Sequence, residues 1–172
     1  MSDLSDIDEF LARYASRGVV VDTNLMVLLF VGLADERLVV RHRRTQAYSV
    51  NDFRVLVEFI RRFRQMIVTP QLLAEVTNLC ETGFEPRARR VLGAMCGQLS
   101  RCQEHHTPMQ LMLQSELLPK IGFADASMVF AARGQYLVLT DNVRDTRHLQ
   151  DAECDVLNFT RLRSMRWLPR RN

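Results

Sequence analysis

The stretch Gly18-Val19-Val20-Val21-Asp22-Thr23-Asn24-Leu25-Met26-Val27-Leu28-Leu29-Phe30 leaves this chain few folds to adopt. Three consecutive valines suit a strand buried on both faces, and such a strand belongs to a parallel sheet with helices on either side. Leu25 to Val31 suits a packed helix, with Thr23 or Asn24 as its N-cap. Asp22 then stands at the C-terminal end of a buried strand, where open α/β sheets bind their ligands.

The rest of the chain repeats this alternation. Leu4, Ile7, Leu11 and Tyr14 at helical spacing predict a leading helix over 3–16, ahead of a strand over 18–22. Residues 35–48 dissolve into charges and read as a loop or irregular insertion. Phe53, Leu56, Val57, Ile60 and Phe63 give one face of a helix over 51–65. Met66 to Thr69 is a short apolar strand, and Thr69-Pro70 is an N-cap followed by proline at the first helical position, opening a helix to about Glu81. Further helices are expected over 86–104 and 123–133, the latter stopped by Gly134, with a weak helical turn over 143–150. Strands follow at 136–140 and 156–159, while 105–118 is ambiguous because Pro108 interrupts it. Strands alternating with helices argue for a parallel sheet in a layered α/β domain. At 172 residues, one domain spanning the chain is expected, with its core over about 18–160.

Composition narrows the function classes. Apolar residues at 47% and charged residues at 25% describe an ordinary globule. Asp22, Thr23 and Asn24 interrupt the most apolar run, so no stretch approaches the ~20 clean residues of a membrane helix. The acidic start Met1-Ser2-Asp3 is unlike a basic signal peptide, so a cytoplasmic protein is expected. Cys80, Cys96, Cys102 and Cys154 include no CxxC pair. Neither these thiols nor His105 and His106 have the paired spacing of a structural zinc site. No Gly-rich phosphate loop supports nucleotide-cofactor chemistry.

The net charge is only +3, but its distribution is uneven. Arg41, Arg43, Arg44, Arg54, Arg61, Arg62 and Arg64 face two acids, Asp52 and Glu58, within one segment, and Lys120 is the only lysine. Guanidinium forks match phosphate oxygens. A solvated helix face would look the same.

Three further acids stand beside Asp22. Glu75 lies one and a half turns into the helix after Thr69, Asp125 opens the helix at 123–133, and Asp141 ends Val138-Leu139-Thr140-Asp141 just as Asp22 ends the first strand. Singly, the aspartates could be turn or helix-start residues and Glu75 a solvated position. Jointly, two strand-terminal and two helical carboxylates can converge above one rim of the sheet. There they would repel one another unless a hard divalent cation neutralised them.

These segments resemble the PIN domain nucleases. The likeness rests on Val20-Val21-Asp22-Thr23-Asn24, on Glu75 within Pro70 to Val76, on Gly122-Phe123-Ala124-Asp125-Ala126-Ser127, and on Val138-Leu139-Thr140-Asp141-Asn142. The resemblance implies a three-layer, Rossmann-like α/β/α sandwich with a mostly parallel sheet and helical insertions at 34–65 and 84–120. It implies a Mg²⁺- or Mn²⁺-dependent endoribonuclease that hydrolyses single-stranded RNA by two-metal chemistry, leaving 5′-phosphate and 3′-hydroxyl ends. By position, Asp22, Glu75, Asp125 and Asp141 would be the catalytic, metal-binding carboxylates. Asn24, Thr140 and Asn142 would support them. The family often ends its last motif in an aspartate where Asn142 stands, so either Asp141 serves from a shifted position or Asp145, one turn later, helps. Arg41, Arg43, Arg44, Arg61, Arg62 and Arg64 would hold RNA, with Arg87, Arg89 and Arg90 behind them. A small antitoxin protein and a homodimer are the partners the family suggests, and toxin and RNA-processing roles both stay open.

Other classes fit less well. A phospho-acceptor domain needs a lysine after a late strand, and Lys120 follows Leu118-Pro119 instead. An aspartyl phosphatase needs a second aspartate where Asn24 sits. The alternative that stays open is a catalytically weak or inactive module of the same fold, binding RNA or protein, to which the departure at Asn142 points.

Overall fold

The computed structural model describes residues 3–80 and 86–164, and their side chains except those at 3–6, 87 and 143–145. Nine α-helices occur among these residues: α1 (Asp3–Tyr14), α2 (Thr23–Ala34), α3 (Val50–Ile60), α4 (Pro70–Leu79), α5 (Pro86–Leu99), α6 (Met109–Leu113), α7 (Leu118–Ala132), α8 (Val143–Asp151) and α9 (Phe159–Ser164). Five strands, β1 (Val19–Val21), β2 (Met66–Val68), β3 (Gln103–Glu104), β4 (Leu137–Thr140) and β5 (Val156–Asn158), form one all-parallel sheet in the order β3-β2-β1-β4-β5. The strand order reverses direction between β1 and β4, which makes that gap the switch point of the sheet.

Side chains alternate across the sheet, because successive Cβ atoms of a strand point to opposite faces. Val19, Val21, Met66, Val68, Leu137, Leu139 and Leu157 join one core with residues of α1, α2, α3, α5 and α9. Val20, Ile67, Val138 and Val156 join the second with residues of α7 and α8. Helix α4 contributes Val76 to the first core and Leu72 to the second. The result is the layered α/β domain expected from the alternating elements, arranged as a three-layer α/β/α sandwich.

Helix α2 explains why the first run turns apolar again. Every residue from Leu25 to Gly32 is buried, and the helix packs against α3, α4 and α5. A helix enclosed on all sides has no polar face to display. The approach of α3 is close, since a Cβ on Gly32 would lie 2.3 Å from the Phe53 ring.

Several boundaries differ from the sequence expectation. Asp22, not Thr23 or Asn24, is the N-cap of α2: its carboxylate accepts the Leu25 amide, and the strand passes into the helix with no loop between them. Helix α3 starts from a capping box, in which Ser49 and Asp52 each accept the other's backbone N–H, and ends at Ile60 rather than Gln65. The helix expected over 86–104 stops at Leu99, and Gln103–Glu104 pairs with Ile67 and Val68 as the edge strand β3. The full helix α8 replaces the expected weak turn, and Phe159 opens α9 instead of ending β5. Helix α7 begins earlier than expected but breaks at Gly122, whose φ of 83° suits glycine, so Phe123 starts a fresh segment. Thr69 and Pro70 behave as read, with the Thr69 hydroxyl accepting the Leu72 amide. The expected helix end at Glu81 lies outside the described residues. Among the described residues no helix is long and apolar enough to cross a membrane.

Candidate functional site

The C-terminal ends of β1 and β4 flank the switch point, and there Asp22 and Asp141 meet. Asp22 is 5% exposed, and its own amide donates to Leu139 O at 3.0 Å, extending the sheet by one bond. Its Oδ1 accepts the Leu25 amide at 2.9 Å and its Oδ2 accepts the Asp141 amide at 3.0 Å. The Thr140 hydroxyl also bonds this carboxylate, and accepts the Asn142 amide at 3.0 Å. One side chain thereby ties the start of α2 to the end of β4.

This arrangement is electrostatically unsatisfied. Burial first, and the nearby Asp141 carboxylate second, push the Asp22 carboxyl up to about 7, against the opposing pull of its hydrogen bonds to Thr140, Leu25 and Asp141. Carboxylates this close share a preference for a proton or a cation. Asp141 Oδ2 accepts the Tyr48 hydroxyl, whereas Asp141 Oδ1 is buried and has no hydrogen-bond partner. Two hard oxygen donors, one of them orphaned, fit a hard divalent cation such as Mg²⁺ or Mn²⁺, which typically takes one or two carboxylates and leaves its other positions to water and phosphate.

Tyr48 is a participant that the sequence did not reveal. It arrives from the irregular segment before α3, 93 residues from Asp141 in the chain. Burial, the bond to Asp141 and the charge of both aspartates raise its phenol, so it stays protonated and donates. Arg163 of α9 lies over its ring, 5.3 Å from the centroid, and pairs with Asp52 through Nε at 3.0 Å and Nη2 at 3.1 Å. The only sequence cue was local: Ser49 and Asp52 at capping-box spacing fix where Tyr48 stops and α3 begins.

The other expected acids do not complete the cluster. Asp125 lies half-buried in the first turn of the second segment of α7. That segment is linked to the end of β2 by a 2.6 Å contact between the Ser127 and Thr69 hydroxyls. Ser127 donates to Ala124 O at 2.7 Å, so Thr69 must donate to Ser127, which orders the protons between α4 and α7. Glu75 is exposed on α4. Among the described residues, no three Asp, Glu, His or Cys side chains gather closely enough to hold a metal ion. The structure brings together two of the four acids.

Asn24 is exposed on the first turn of α2, and Asn142 precedes α8, its carbonyl accepting the Thr146 hydroxyl at 2.9 Å. The side chains of Asp145 and Arg87 lie outside the described ones. The arginine cluster is split. Arg41, Arg43 and Arg44 are exposed in the segment that delivers Tyr48 to the Asp141 rim. Arg61, Arg62 and Arg64 are exposed beyond the far end of α3, where the Arg64 amide donates to Ala15 O at 2.7 Å beside the start of β1. Arg61 pairs with Glu58 at 2.8 Å. Arg89 and Arg90 are exposed on α5. Comparison of the chain with protein-family models, with curated proteins and with solved structures gave no match.

Proposed function

We propose that this protein is a Mg²⁺- or Mn²⁺-dependent nuclease acting on single-stranded RNA, with Asp22 and Asp141 as the carboxylates that hold the ion. The observation that carries the reading is the meeting of the buried Asp22 and the half-buried Asp141 at the switch point, one pushed toward protonation and the other with an orphaned oxygen. The resemblance of the same segments to PIN domain nucleases supports it. When bound, the ion would lower the pKa of a water and stabilise charge building on phosphate oxygens.

The chain's own residues supply the setting. Thr140 and the Leu25 and Asp141 amides fix the orientation of the Asp22 carboxylate. Arg41, Arg43 and Arg44, exposed in the segment that leads to Tyr48, can hold phosphates, giving salt-sensitive contact with little sequence information. Asp125 and Glu75 do not complete a three-acid group with this pair.

A second reading, a catalytically weak or inactive RNA-binding or protein-interaction module, is favoured by one observation: Glu75 and Asp125 do not form a three-acid group with the pair. Incubation of the purified chain with end-labelled single-stranded RNA separates the two. The nuclease reading expects cleavage with Mg²⁺ or Mn²⁺, none with EDTA, and none from Asp22→Asn. RNA retained but uncut at any metal concentration would establish the binding module, and cutting by Asp22→Asn would overturn the site.

A further inference from the structure

Tyr48 carries a role that none of the four acids explains. Its hydroxyl takes Asp141 Oδ2, and the remaining oxygen, Oδ1, is the buried atom left without a partner. A carboxylate has two oxygens on one rigid plane, so holding one of them sets where the other points. The holder is itself held by three devices drawn from separate parts of the chain. The Ser49–Asp52 capping box pins the residue next to it, Arg163 of α9 covers the ring, and the same Arg163 is fastened to Asp52 by two hydrogen-bonded nitrogens. Arg163 also reaches Ala47 O at 3.4 Å, on the other side of Tyr48 in sequence. Tyr48, 7% exposed, is thus fixed in both position and ring orientation.

We propose that Tyr48, braced by the Arg163–Asp52 pair, is a positioning residue that orients Asp141 so that Oδ1 faces the divalent cation. The inference rests on the reading of Asp22 and Asp141 as the ion-holding pair. It parallels the way Thr140 and two backbone amides fix Asp22. Partners that hold metal ligands in place are worth roughly 10- to 100-fold in metal affinity. A tyrosine that merely filled space would affect folding and leave the ion alone.

The test is Mn²⁺ titration of the full chain by calorimetry, with the Mn²⁺-induced rise in unfolding temperature as a second readout. Tyr48→Phe keeps the ring and removes the donor. Its Mn²⁺ Kd is expected to weaken about tenfold while its circular dichroism matches the parent. Arg163→Met, which frees the ring without touching either aspartate, should also weaken binding, and it carries the test if Tyr48→Phe does not fold. Unchanged or tighter Mn²⁺ binding in the folded variants, with Asp22→Asn unable to bind, overturns the role of Tyr48 and leaves the ion-holding pair intact. A parent chain that binds no Mn²⁺, or an Asp22→Asn chain that binds it as well as the parent, overturns both.

Discussion

Two tyrosine–aspartate contacts sit at opposite rims of the sheet, and their surroundings differ in one respect. Where the strands begin, Tyr14 donates to Asp155 while Arg13 reaches the same carboxylate oxygen at 2.9 Å, and Arg17 lies 5.8 Å from the Tyr14 ring. Where they end, Tyr48 donates to Asp141 and Arg163 lies over its ring, but that arginine is committed to Asp52. The neighbour of Asp141 is instead a second carboxylate, Asp22, buried and pushed toward protonation. The lower contact is neutralised and closes a surface. The upper one is short of positive charge, and a site for a cation needs that deficit.

The largest expected effect breaks this contrast directly. Asp22→Asn should reduce metal-dependent RNA cleavage by more than about a hundredfold, since even partners of metal ligands are worth 10- to 100-fold. The same change should abolish any fall of the unfolding midpoint between pH 5 and pH 8, because it removes the titrating carboxyl. A fall that persists in Asp22→Asn would place the titrating group elsewhere.

Next comes pH. The folded-state carboxyl of Asp22 lies at about 7, above the ordinary value near 4, so the folded state binds this proton more tightly than the unfolded chain does. Its contribution to stability is therefore complete below about pH 4 and is lost as pH rises through about 7. Unfolding midpoints in EDTA should fall between pH 5 and pH 8, and saturating Mn²⁺ should flatten that fall. A flat profile in EDTA would remove the electrostatic difference between the rims.

Arginine placement gives a sharper, smaller test. Replacing Arg41, Arg43 and Arg44 together by alanine should lower the dependence of log RNA affinity on log salt by up to about two units, whereas replacing Arg61, Arg62 and Arg64 should leave it nearly unchanged. Equal effects from both triples would place RNA across the whole length of α3 rather than at one rim.

Smallest is the change at the lower rim. Asp155→Ala removes the acceptor of the part-buried Tyr14 hydroxyl, which should cost about 1 kcal/mol in urea unfolding. RNA cleavage and Mn²⁺ affinity should not change. Loss of Mn²⁺ affinity in this variant would show that the two rims are coupled through the sheet.

The legibility of the chain followed how local each determinant was. Val19 to Val21 and Thr69-Pro70 announced their elements because hydrophobic runs and helix starts depend on adjacent residues. The sequence marks Asp22 as a strand-terminal acid but leaves the capping role to Thr23 or Asn24, because nothing in it shows that β1 enters α2 without a loop. Strand β3 has no signature in the sequence because Gln103 and Glu104 are exposed and polar, and only pairing with β2 makes them a strand. The arginine segment looked like one cluster until the eleven residues of α3 separated its halves, a span of about 16 Å at 1.5 Å per residue. At the site, the convergence of Asp22 and Asp141 could be anticipated from two similar strand ends. The arrival of Tyr48 and Arg163 could not, because both contacts are made between segments far apart in the chain.

The two-residue edge strand has a consequence for how this molecule lives among its copies. An open parallel sheet invites another chain to add itself along the border, and long apolar borders invite it most. Here that margin is cut to a pair of hydrophilic residues, one of them the acidic Glu104. Growth by strand addition on that flank finds almost no template.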